Sequence, residues 1–259
     1  MGALPDLTTS SASNADVLDL VARLDDTADA PQPLPTPTAV FQPIVHLEAG
    51  VAVGFEALAR FADGVSPREH FQRADAEGRA VELELACCDA AVRHLSGLPH
   101  GTFLSTNVSA ACAARRELAL LLRTIDTTRL AIELTQQSPV DDVAVLDHHL
   151  AAIRATGVRL AVDDVGVDGH PVEHVQRFAP AIVKASPRLV SGCDTDAELR
   201  ARLAAVVEIG RRVGAITVAV GVERKAEADV LRRLGFDAAQ GYLFARPEPL
   251  EYHTRPADR

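Results

Sequence analysis

Residues with chemical use recur late in successive short apolar stretches of this sequence: Glu56, Asn107, Glu133, the pair Asp163 and Asp164, Lys184 and Gln240. Glu56, Glu133, Asp163 and Asp164 bring carboxylates and Asn107 an amide oxygen, a hard donor set that selects Mg²⁺, Mn²⁺ or Ca²⁺ over zinc. Lys184 adds an ammonium able to orient a phosphate or an attacking water. Such a set suits a phosphate ester, with a metal bridging the acids to the anion. One acid at a strand end is usually a local hydrogen-bond partner. Several from successive strands repel one another unless cations join them. Histidines do not compete, since His148–His149 and His170/His174 lack a matching acid or thiol cluster and read as exposed helix or loop positions.

These side chains need a scaffold that gathers strand ends. Strands are expected at Val40–Val45, Val53–Leu58, Thr102–Asn107, Leu130–Leu134, Arg159–Asp163, Ala181–Lys184, Ile216–Val220 and Ala238–Gly241. Helical periodicity is clearest over Val81–Leu95, Val140–Ala155, Ala197–Val213 and Lys225–Leu234. Repeated strand-then-helix order favours a parallel sheet, and roughly eight units favour a closed (β/α)8 barrel whose strand ends share one rim. An open doubly wound sheet is the rival, but no G-x-G-x-x-G turn follows a strand.

Ahead of the barrel, residues 1–29 read as a tail, residues 30–38 as a linker with Pro31, Pro33, Pro35 and Pro37, and residues 39–255 as the domain. Within the tail, Ser10 to Asn14 can cap a short helix carrying Val17, Leu20, Val21 and Leu24 on one face. That helix either docks on the barrel or a partner protein, or remains a frayed end.

The 259 residues suffice for one large α/β domain. Apolar residues make up 47% but aromatics only 4%, so Ala, Val and Leu must fill the core. A net charge of −10 without a basic stripe argues against a nucleic-acid polymer as partner. Cys87, Cys88, Cys112 and Cys193 form no C-x-x-C pair and read as buried reduced thiols. Neither a signal peptide nor a membrane span is recognisable, which makes the cytoplasm the expected location.

The sequence resembles the EAL family of cyclic di-GMP phosphodiesterases. The likeness runs through Phe41-Gln42-Pro43-Ile44-Val45, Gly54-Phe55-Glu56-Ala57-Leu58-Ala59-Arg60, Thr106-Asn107-Val108-Ser109, Glu133-Leu134-Thr135 and Asp163-Asp164. It ends with Gly221-Val222-Glu223 and Gln240-Gly241-Tyr242-Leu243-Phe244-Ala245-Arg246-Pro247. The resemblance implies a TIM-barrel variant of the EAL type with its first strand antiparallel. It maps the metal site, for Mg²⁺ or Mn²⁺, onto Glu56, Asn107, Glu133, Asp163 and Asp164. Lys184 matches the lysine that helps position the nucleophilic water, and Gln42, Arg60 and Gln240 match residues lining the nucleotide site. A homodimer through the loop after Asp164 is also implied.

Departures from the family pattern fall on the catalytic side. Where the family carries A-E-G-V-E, this chain has Ala219-Val220-Gly221-Val222-Glu223, so Val220 replaces an acid beside the second metal and the water. Asp168 and Glu223 are candidates to replace that acid. The family's E-L-T-E ends here in Gln136, its K-I-D reads Lys184-Ala185-Ser186, and the D-D-F-G-T-G-Y loop reads Asp163-Asp164-Val165-Gly166-Val167-Asp168-Gly169. The expectation is a domain that binds cyclic di-GMP and hydrolyses it weakly or not at all, acting as a receptor or regulator. An active phosphodiesterase and a nucleotide-free interaction scaffold are the alternatives.

Overall fold

The computed structural model describes residues 33–135, 143–166, 175–176 and 178–254. The expected helix in the tail, residues 1–32, the loop residues Gln136 and Asp168, and His170 and His174 lie outside the described residues. The chain opens with β1 (Pro37–His46), β2 (Ala52–Phe61), α1 (Pro67–Ala76), α2 (Ala80–Val92) and β3 (Phe103–Ser109). Then come α3 (Ala110–Ala113), α4 (Arg116–Arg123), β4 (Leu130–Thr135), α5 (Val143–Arg154), β5 (Arg159–Val165) and β6 (Ile182–Ala185). The last elements are α6 (Pro187–Val190), α7 (Ala197–Val213), β7 (Ile216–Val220), α8 (Lys225–Leu234), β8 (Ala238–Gln240) and α9 (Leu250–Thr254).

The eight strands close into a barrel in chain order. β1 runs antiparallel to both β2 and β8, and every other neighbouring pair is parallel. The short turn between His46 and Ala52 explains the exception. A parallel neighbour needs a crossover of a dozen or more residues, and this turn has room only for a hairpin, with Gly50 at φ 67.

That hairpin also changes where Glu56 sits. The β1–β2 ladder continues to the pair Pro37↔Phe61, so β2 runs past the expected end at Leu58 and Glu56 lies mid-strand. For the same reason Pro37 and Thr38 open β1 instead of ending the linker. Helix α2 stops at Val92, before a 3₁₀ turn over Leu95–Gly97. α7 and α8 match the periodicity, each followed by a left-handed glycine, Gly214 and Gly235. α1 was not expected, although Ser66 and Glu69 form a reciprocal capping box and Pro67 opens the helix.

Two apolar layers hold the barrel. The larger one lies between sheet and helices and includes Phe41, Phe55, Leu104, Ile132, Val183 and Leu231. The smaller one fills the barrel itself with Ile44, Phe103, Ala131, Ala161, Ile182, Val218 and Ala238. With so many small residues, the Phe103 ring supplies much of that volume, and Gly54 on the neighbouring strand leaves it space. A Cβ at position 54 would stand 2.6 Å from the ring. Gly54→Ala is therefore expected to lower unfolding free energy by about 1–3 kcal/mol through overpacking. Urea denaturation measures it, and an unchanged midpoint would mean that the ring relocates freely.

Candidate functional site

Above the inner apolar layer the barrel interior turns polar. Alternate strands supply one layer of a barrel interior, and here the even strands contribute Glu56 (β2), Glu133 (β4), Lys184 (β6) and Gln240 (β8). All four are buried, Glu133, Lys184 and Gln240 at 1% exposure each. The Lys184 ammonium donates to Glu56 Oε2 at 2.9 Å and to Glu133 Oε2 at 2.6 Å. Glu56 also accepts from Asn107 Nδ2 at 2.8 Å and from Gln240 Nε2 at 2.7 Å. The carboxylate of Glu56 is thus the centre of the group.

The electrostatics follow from burial. Desolvation pushes the Glu56 carboxyl up, but Lys184 and the Asn107 and Gln240 amides outweigh it and hold it below the usual carboxylate range. Glu133 goes the other way. Burial and the charge of Glu56 push it up to about 7 despite Lys184. Burial also raises Asp163, helped by Glu56 and Asp164 against the pull of Lys184. Desolvation opposes the Lys184 charge, but Glu133, Glu56 and Asp163 together hold the ammonium above its ordinary value. One ammonium therefore serves three nearby carboxylates, leaving a negative interior that a further cation would relieve.

Asp163 is half-buried at the end of β5 and Asp164 is exposed beside it, with φ 55. The carboxylates of Glu56 and Glu133 face Lys184, and among the described residues no three His, Cys, Asp or Glu side chains converge to hold a metal by themselves. Glu133 Oε1 nonetheless is buried without a hydrogen-bond partner. That free oxygen, with the hard donors Asn107 and Asp163, is the chemistry a divalent cation of the Mg²⁺ or Mn²⁺ type uses.

The remaining expected residues divide. Arg60 is exposed, donates to its neighbour's carbonyl at Ala59, and borders a cleft of about 250 Å³ shared with Leu58, Pro67, Phe71 and Asn107. Gln42 lies deeper than a ligand-lining role suggests. Its Nε2 donates to the Ala245 carbonyl and its Oε1 accepts from Gln240, so it aims the Gln240 amide. Glu223 is exposed beyond β7, where its backbone N–H donates to Glu227, and among the described residues no hydrogen bond joins it to Glu56 or Lys184. Val220 pairs with Gln240 across the β7–β8 ladder and packs on the inner apolar layer. Cys88, Cys112 and Cys193 are buried as expected, whereas Cys87 is half-buried and lines the cleft beside Arg60; desolvation pushes the Cys87 and Cys88 thiols each up to about 12, and no disulfide joins the four cysteines.

Pro67 and Phe71, which line this cleft, are residue types that mark no chemistry in a sequence. The capping box at Ser66 was the available signal that a helix begins beside Arg60.

A family model described as EAL domain matches residues 37–247. The bifunctional diguanylate cyclase/cyclic di-GMP phosphodiesterase MucR of Pseudomonas aeruginosa is 28% identical over 225 residues, 82% of this chain and 33% of that protein. The solved PaMucR phosphodiesterase in complex with c-di-GMP superimposes with a TM-score of 0.75 at 27% identity, covering 84% of this chain and 94% of that one. BlrP1 of Klebsiella pneumoniae, solved with calcium and cyclic di-GMP, gives a TM-score of 0.75 at 29% identity over 85% of this chain and 58% of that one. The same protein is also solved with manganese and cyclic di-GMP. The chain spans 26% to 33% of the length of several curated relatives that it matches.

Removing one partner from a buried ion pair leaves the other charge stranded. Lys184→Met is therefore expected to cost about 3–5 kcal/mol of stability, and adding Glu133→Gln to recover part of it. Denaturant titration of both variants checks this; equal loss in the two would mean that Glu133 carries no charge beside Lys184.

Proposed function

The chain belongs to the EAL domain family, and from that premise we propose that it binds cyclic di-GMP at the polar mouth of the barrel and hydrolyses it to linear pGpG weakly or not at all, acting as a receptor or regulator. What supports binding is the survival of Glu56, Asn107, Glu133, Asp163, Asp164 and Lys184 around one interior, with Arg60 exposed at its edge. In this reading Asn107 and the carboxylates hold Mg²⁺ or Mn²⁺, Asp164 standing beside Asp163. Bound there, the cation supplies electrostatic stabilisation of the phosphate charge. The relatives solved with cyclic di-GMP and calcium or manganese motivate that assignment.

The chain's own groups then divide the work. Arg60 offers a guanidinium to a phosphate oxygen. Lys184 sets the direction of the Glu56 and Glu133 carboxylates and opposes their repulsion. Gln240, aimed by Gln42, keeps a buried Oε1 without a partner as an acceptor for the ligand or a water.

The observation that carries the weak-hydrolysis reading is Val220. It stands next to Gln240 and above the inner apolar layer, among residues that otherwise donate or accept, and its isopropyl group can take no proton. Loss of a positioned general base costs about 10² to 10⁴ in rate. Glu223, a candidate substitute, is exposed with its own backbone N–H tied to Glu227. Homodimerisation through the loop after Asp164 and a protein partner at the tail remain part of the proposal; residues 167–174 of that loop and residues 1–32 lie outside the described residues. Among the described residues no helix is long and apolar enough to cross a membrane.

Calorimetry with cyclic di-GMP tests the binding half, and no binding at high micromolar ligand would leave only the interaction scaffold. Turnover in Mg²⁺ or Mn²⁺, read as pGpG, tests the other half. Val220→Glu is expected to raise turnover by about tenfold or more, a small share of what a general base contributes. A wild type already as fast as the Val220→Glu variant would make the protein an ordinary phosphodiesterase.

A further inference from the structure

Asp163 and Asp164 lie on the bulged, strained end of β5 that leads into the turn at Gly166. The β5–β6 ladder shifts register between Val162 and Val165, and Asp164 adopts φ 55, a left-handed conformation that a non-glycine residue keeps only where its surroundings impose it. The surroundings are on both sides of Gly166. The Ser186 N–H donates to the Val165 carbonyl at 3.2 Å. Gly166, at φ 97, lies so close to α6 and α7 that a Cβ there would stand 2.5 Å from Leu189 Cδ1 and 3.0 Å from Val206 Cγ2.

The Gly166 carbonyl oxygen, in turn, accepts from Nη2 of Arg202 at 2.7 Å. Arg202 is half-buried in the second turn of α7 and reaches the turn from 36 positions away in sequence. A guanidinium donor makes this a charge-assisted bond, stronger than one between neutral groups. α7 is itself anchored: Asp196 caps its N-terminus by accepting from Glu198 N and Leu199 N, and Leu203, Val206 and Val207 are buried. The helix therefore gives the guanidinium a fixed base from which to grip the loop.

We propose that Arg202 is a positioning residue: by holding the Gly166 carbonyl it keeps the bulged end of β5 in the strained geometry that sets Asp163 and Asp164 side by side at the barrel rim. Arg202 touches neither ligand nor reacting atoms. Its consequence for cation binding rests on the reading of Asp163 and Asp164 as metal ligands, whereas its hold on the turn does not.

The test uses the full chain with Arg202→Met and Arg202→Lys. Hydrogen exchange followed by mass spectrometry reports on the peptide spanning residues 160–166, which should exchange about tenfold faster in Arg202→Met, with distant strands unchanged. Calorimetric titration with Mn²⁺ alone should show affinity lowered by about 10- to 100-fold, the range for loss of a group that orients metal ligands. Arg202→Lys, which keeps a cationic donor, should restore part of both. Unchanged exchange in Arg202→Met would overturn the proposal, and so would a loosened turn that binds Mn²⁺ as tightly as the wild type. A wild type that binds no Mn²⁺ refutes the metal assignment alone, and the exchange data still decide Arg202. If Arg202→Met does not fold, Arg202→Gln, uncharged and shorter, is read in the same way.

Discussion

An ammonium buried between two carboxylates is the interaction around which this barrel is organised. Lys184 reaches Glu56 and Glu133 from strands 128 and 51 positions away in sequence, with all three side chains out of water. Taking such charges from solvent is costly, and the cost is offset only when geometry and further hydrogen bonds are good. The barrel meets that condition by closure. Even-numbered strands turn Glu56, Glu133, Lys184 and Gln240 into one interior layer, while Asn107 and Gln240 fill the remaining lone pairs of Glu56. Beneath it, Phe103 and the small side chains of the inner layer seal the barrel, leaving the mouth above as the open side.

The polar layer is not neutral. Three carboxylates share one ammonium, and Glu133, the most enclosed of them, is driven upward by burial and by Glu56. Its unpartnered Oε1 shows where the balance is incomplete. A second cation or an anionic ligand carrying one would complete it, which links the stability of the interior to its ligand chemistry. Val220, on the odd-numbered β7, borders this layer beside Gln240. It packs against the apolar residues below, and its isopropyl group can neither donate nor accept a proton.

The edges of the site follow a different logic. Arg60 pairs with Thr38 in the part of β2 that the hairpin carries past Ala57, where pairing with β3 ends, and it is exposed while Glu56 on the same strand is buried. Asp164 is exposed on the bulged end of β5, two residues before Gly166, which lies close against Leu189 of α6 and Val206 of α7. Strand interiors thus supply the centre, and the strand ends and the turns that follow them supply the rim.

Much of this was legible in the residues themselves. Ala197–Val213 and Lys225–Leu234 announced their helices through apolar period and a glycine stop, and Ile216–Val220 its strand through a β-branched run. The ordered motifs from Gln42 to Gln240 marked the family, and the types Glu56, Asn107, Glu133, Asp163 and Lys184 marked hard-donor chemistry. Those properties are local, because side-chain type and a repeat of 2 or 3.6 positions are written in the chain. Which oxygen meets which nitrogen is not local. Alternation says that Gln42 faces inward but not that it is spent on Gln240 and Ala245, and strand propensity could not reveal that the hairpin carries β2 past Leu58. Nor does any periodicity join Arg202 to Gly166. Register, shear and helix docking set those distances, and they exist only once the barrel has closed.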